Sequence, residues 1–72
     1  ADAVVGGQTV TLRPVGNGFD VAVRRNGSVV DRGPLPSNMS SRRIGELTFE
    51  RNRSRLYASH DDTRVVVART ED

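Results

Sequence analysis

Apolar and polar residues alternate with a period of two along most of this chain, the pattern of half-buried strands. In residues 8–14, Val10 and Leu12 share one face while Thr9, Thr11 and Arg13 share the other. The alternation resumes over residues 19–25 and again over 28–32, with Asn26-Gly27 between the two runs. Asn-Gly favours a two-residue hairpin turn because both positions need positive φ. Such a loop pairs Arg25 with Ser28, Arg24 with Val29, Val23 with Val30 and Ala22 with Asp31. That register predicts Phe19, Val21, Val23 and Val30 together on the core face. It places Arg24 outside, beside Asp20 and diagonal to Asp31, and leaves Arg25 at the rim.

Gly16-Asn17-Gly18 reads as another reversal. Gly33-Pro34-Leu35-Pro36 is expected to end strand pairing, since proline has no N–H to give to a ladder. The one segment with helical features is 37–46. Ser37 suits a cap, Arg42 and Glu46 stand four residues apart, and Met39 and Ile44 suit contact with a core. Its serines and Gly45 limit it to one or two turns. Strands follow at 47–50, 55–59 and 64–69. Val65-Val66-Val67-Ala68 lacks alternation, which predicts a strand covered on both faces, either at the centre of the barrel or against a partner. No internal repeat is visible.

These elements predict an all-β fold: a small antiparallel meander or barrel of about six short strands, with at most a one- to two-turn helix near 37–46. Residues 1–7, with Gly6-Gly7, read as a flexible arm or as a strand that orders only against something else. Residues 8–70 form a single β-barrel domain, and 71–72 an acidic tail end.

Size and charge narrow the picture. A chain of 72 residues makes one domain, and this size buries only about 60% of its unfolded surface. Cysteine is absent, so no disulfide or thiolate site supports it, and a cytoplasmic location is favoured. No apolar stretch approaches a membrane span, so no membrane partner is expected. All 11 basic residues are arginine, against 9 acidic ones.

Catalytic chemistry has little to stand on. His60 is the only histidine and lies in a turn beside Asp61 and Asp62. A nucleophile elbow, a phosphate-cradling glycine loop and a spaced zinc-ligand set are all missing from the sequence. The reading is therefore of a non-enzyme, with no cofactor, no metal and no small-molecule substrate. Arg42 and Arg43 stand in one irregular segment, and Arg51, Arg53 and Arg55 around the next turn. If both lie at one end of the barrel, five guanidinium groups converge on an acidic partner or a phosphate backbone, with Tyr57 facing outward to stack. Val66, out of phase with Val65 and Val67, and Val29 are the apolar candidates for association. The expectation is a binding or structural module, a subunit or accessory protein of a larger assembly such as a viral or mobile-element structural protein. Its expected partner is a protein or a second copy, and the alternative is a nucleic acid.

Overall fold

The computed structural model describes residues 2–69. The expected acidic tail at 71–72 lies outside them. The described chain is all strand and turn, with no helix, and so none long and apolar enough to cross a membrane. Eight strands are formed: β1 Asp2–Val5, β2 Gln8–Val15, β3 Gly18–Arg25, β4 Ser28–Leu35, β5 Ser41–Ile44, β6 Leu47–Asn52, β7 Arg55–His60 and β8 Thr63–Arg69. They build two four-stranded antiparallel meanders, β1-β2-β3-β4 and β5-β6-β7-β8. The expected single six-stranded barrel is corrected to two sheets, whose ladders end at β4/β5 and at β1/β8.

Two segments account for the extra strands. Asp2–Val5, expected as an arm, pairs with β2 from Asp2↔Thr11 to Val5↔Gln8, and Val5 is buried in the core. Residues 41–44, expected as helix, pair with β6 from Ser41↔Glu50 to Ile44↔Leu47. Only a tight turn precedes them, with the Met39 N–H donating to the Pro36 carbonyl at 3.0 Å. Gly45 at φ 61° then turns the chain, a conformation that suits a hairpin and stops a helix. Met39 and Ile44 do reach the core, as expected.

The Asn26-Gly27 turn has φ values of 54° and 82°, and it pairs Arg25↔Ser28 and Arg24↔Val29 as its loop length requires. One residue later the register shifts. Val23 faces Asp31, Ala22 faces Arg32 and Val21 faces Gly33, which leaves Val30 as the extra residue of a β-bulge. Val30 is therefore exposed, and its expected place in the core is corrected. The reason lies further along β4. Without the bulge, Arg32 and Pro34 would point inward and Leu35 outward. With it, Gly33 and Leu35 turn inward, and a buried leucine contributes about 1.5–3 kcal/mol. Phe19 is only partly buried, whereas Val21 and Val23 are fully enclosed. Pro34 does not end β4, because this is an edge strand where a missing N–H costs no ladder bond.

The core is shared equally between the sheets. Val5, Val10, Val21, Val23 and Leu35 come from the first, and Ile44, Leu47, Phe49, Leu56 and Ala58 from the second. The halves also repeat each other in outline, although little identity marks it. Val5-Gly6, Gln8 and Val10 correspond to Ile44-Gly45, Leu47 and Phe49. Val21, Val23 and Asn26 correspond to Leu56, Ala58 and Asp61, with φ 54° at Asn26 and 52° at Asp61. The second half has a six-residue β6 and β7 where the first has an eight-residue β2 and β3.

Four turns gather at one end of the molecule. Arg25 meets Glu46 at 3.1 Å, the Gly45 N–H donates to Asp31 Oδ2 at 2.7 Å, and His60 Nε2 lies 3.6 Å from Glu46. Gly6 packs so tightly on the His60 ring that an added Cβ would stand 2.5 Å from Nδ1. The opposite end carries the turns at Gly16-Asn17 and Arg53-Ser54 and the connection 36–40.

Candidate functional site

The five nominated arginines do not form one cluster. Arg43 stands two residues before the Gly45-Glu46 turn, while Arg53 occupies the turn at the far end of β6. A six-residue strand separates these turns by roughly 20 Å. Arg42 reaches across the seam between the sheets, where its Nη1 donates to the Pro34 carbonyl at 2.7 Å and its head covers Gly33. Arg43 Nε points to the Gly45 carbonyl at 3.4 Å. Both are occupied in holding β5 in place. Arg51 is turned inward opposite Leu56, with Nε and Nη2 buried and unpaired, and its backbone N–H donates to the Ser40 carbonyl at 2.8 Å.

The other nominees do share a site. Asn52, Arg53, Ser54, Arg55 and Tyr57 line a groove of about 350 Å³ at the Arg53-Ser54 end. Arg53 and Arg55 are exposed, and neither has an ion-pair partner among the described residues. Arg55 lies opposite Arg69 across the β7/β8 ladder, which adds a third cation to this end. Tyr57 points outward as expected. Its ring is already covered by the Arg64 guanidinium, 3.9 Å from the centroid, and Arg64 also stands 4.0 Å from Glu50.

Val66 and Val29 both reach solvent. Val66 belongs to an edge strand, so the expectation of a central place for 65–68 in a barrel is corrected: Val65, Val67 and Ala68 are half-buried and Val66 faces solvent. The register shift beside Leu56/Tyr57 makes Val67 an extra residue, which breaks the alternation that the sequence lacks.

Two features escaped the sequence reading. The outer face of the first sheet carries Arg13, Arg24 and Arg32 around Ala22 and Asp20 in a hollow of about 340 Å³. Asp20 accepts Arg13 at 3.3 Å and Arg32 at 3.5 Å. Arg24 does not meet Asp31 as expected. It donates to Thr11 Oγ1 at 3.0 Å, and Thr11 donates to Asp2 Oδ1 at 3.2 Å. The bulge has moved Asp31 to the inner side, where its carboxylate accepts the Gly45 N–H. Alternation shows which residues share this face, but the ladder register decides which ones touch.

The second missed feature lies at the end that gathers four turns. Gln8, Arg25, Val30, Gly45 and Glu46 line a cavity of about 240 Å³. Gln8 is 1% exposed, and neither atom of its carboxamide has a partner. Leaving such a group unpaired inside a protein costs about 1–3 kcal/mol. Its counterpart in the second half, Leu47, fills the same position with an apolar side chain. The only available signal was a glutamine two residues after Gly6, where the second half has leucine, and it becomes legible only once the two halves are superposed.

Thus the fold is an all-β two-sheet scaffold with a basic groove at one end and, at the other, a cavity that holds the Arg25–Glu46 pair and the buried Gln8. No protein-family model, curated protein or solved structure gives a significant match to the chain.

Proposed function

We propose that this chain is a non-enzymatic binding module, a subunit or accessory protein of a larger assembly, that works through protein–protein contact. One observation supports the reading above others. Of the five large exposed hydrophobic residues, four stand on edge strands: Val4 on β1, Val29 and Val30 on β4, and Val66 on β8. Edge strands in monomeric proteins are usually guarded by charge, and apolar side chains there favour association. The bulges at Val30 and Val67, with Pro34, disrupt the free ladders of β4 and β8, so contact uses valine side chains rather than an added strand.

Light scattering at two concentrations tenfold apart tests the proposal. The mass should rise with concentration, and Val66→Glu or Val29→Glu should reduce it. A mass that stays monomeric throughout overturns the reading. The groove of Arg53, Arg55 and Tyr57 supports a second reading, phosphate contact with a nucleic acid. That reading requires affinity for a single-stranded oligonucleotide that falls steeply with salt, and a slope flattened by Arg53→Ala. The Arg64 guanidinium over the Tyr57 ring occupies the face a base would use, which favours the protein partner.

A further inference from the structure

One pairing in the second sheet sets like charges directly against each other. Arg55 on β7 stands opposite Arg69 on β8, and both side chains leave the ladder on its outward face. Like charges in such a pair destabilise a sheet. Arg53, two residues before Arg55, adds a third cation from the turn. It sits there at φ 58°, where Gly16 fills the corresponding turn of the first half at φ 59°. Left-handed backbone is costly for a residue with a long side chain and favours glycine or asparagine. Departures of this kind concentrate where a protein contacts something else.

These charges stand uncompensated among the described residues. All three arginines are exposed, and none pairs with a carboxylate there. The groove of about 350 Å³ that Arg53 and Arg55 line is completed by Asn52, Ser54 and Tyr57, with no acidic side chain. Glu50, opposite Tyr57 in the ladder, faces Arg64 at 4.0 Å.

We propose that this groove seats an extended acidic segment of a partner protein, its carboxylates against Arg53, Arg55 and Arg69. The planar fork of arginine matches a carboxylate with two parallel hydrogen bonds, and an anion here also relieves the repulsion across β7/β8. Two observations favour a peptide over a nucleic-acid strand. The Arg64 guanidinium covers the ring of Tyr57, the one aromatic residue lining the groove. Asn52 supplies a carboxamide, which donates and accepts as a peptide group does, whereas a phosphate only accepts. The same face continues onto an apolar contact, because the exposed Val66 stands opposite Tyr57. Tyr57 lies two residues beyond Arg55, about 7 Å along the strand. An extended partner therefore meets this face with acidic, acidic and apolar side chains at alternate positions. This inference rests on the reading of the chain as a protein-binding module and names the chemistry of one partner.

Fluorescence anisotropy tests it with an amidated, fluorescein-labelled peptide of alternating glutamate and serine that ends on valine. The parent should bind this peptide at low salt and weaken as salt screens the contact. A peptide with serine in place of every glutamate should not bind. Arg53→Asn and Arg69→Glu should each weaken binding about tenfold or more. Both should melt at or above the parent's temperature, since asparagine suits the left-handed turn and Arg69→Glu converts the like-charge pair into an ion pair with Arg55. Lost binding in a fold that is no less stable separates the site from the scaffold. Variants that bind like the parent overturn the proposal, as does a parent that leaves the peptide free. In that last case a light-scattering mass that rises with concentration keeps the protein-contact reading, and a mass that stays monomeric removes both. A single-stranded oligonucleotide of equal charge that displaces the peptide more effectively than unlabelled peptide does assigns the groove to nucleic acid and overturns the acidic segment.

Discussion

Replacing Gln8 by leucine should make this protein more stable. Gln8 is 1% exposed, and both its carboxamide atoms lie in the interior without a hydrogen-bond partner. The unpaired amide costs about 1–3 kcal/mol relative to a well-matched apolar group. Leucine has a similar reach, and the second half of the chain already accommodates it at Leu47, which is 0% exposed. Neither carboxamide atom has a hydrogen-bond partner, so no polar group loses one in the exchange. The expected gain is about 1–2 kcal/mol, or roughly 5–15 °C in melting temperature for a domain of this size. Urea unfolding followed by far-ultraviolet circular dichroism measures it, since Tyr57 is the sole tyrosine and tryptophan is absent. The midpoint should rise with an unchanged slope. A loss of stability would refute the reasoning, because it would mean that the carboxamide is satisfied in solution and contributes to the fold.

Two other substitutions probe the scaffold. Gly6→Ala should destabilise by about 2–4 kcal/mol, combining the cost of a positive φ with overpacking against the His60 ring. His60→Ala should recover only the steric part, so a double-mutant cycle by thermal melting should leave about 1–2 kcal/mol unrecovered. Asp31→Ala removes the acceptor of both the Gly45 and Arg32 N–H groups and should cost about 1–2 kcal/mol. Hydrogen exchange should accelerate at the Gly45 amide while the β7 ladder keeps its protection.

The hairpin at Asn26-Gly27 shows where sequence reading succeeds and where it stops. The dipeptide determines the turn and the two pairs beside it, because φ is positive at both residues and the loop length leaves one register. It does not determine the third pair. There the choice lies between burying Val30 with Arg32 or Leu35 with Gly33, a comparison among residues as many as nine positions from the turn. The nominated site divides for a similar reason. Arg53, Arg55 and Tyr57 are close in sequence on one turn and strand, so local geometry brings them together. An irregular 37–46 segment would let Arg42 and Arg43 join them. As strand β5 they point to the seam and to the opposite turn.

By itself the sequence carries what short-range physics decides: strand periodicity, the turns at Gly16-Asn17 and Asn26-Gly27, the inward faces of β2 and β3, and the absence of cysteine. The tertiary structure decided everything that depends on comparing distant segments. It divided the strands between two sheets, placed the bulge that turns Leu35 inward, and gathered four turns at one end while Arg53 and Arg55 stand at the other without an ion-pair partner among the described residues. Alternation states which side a residue faces, but the energy of packing one sheet against another decides what it meets there.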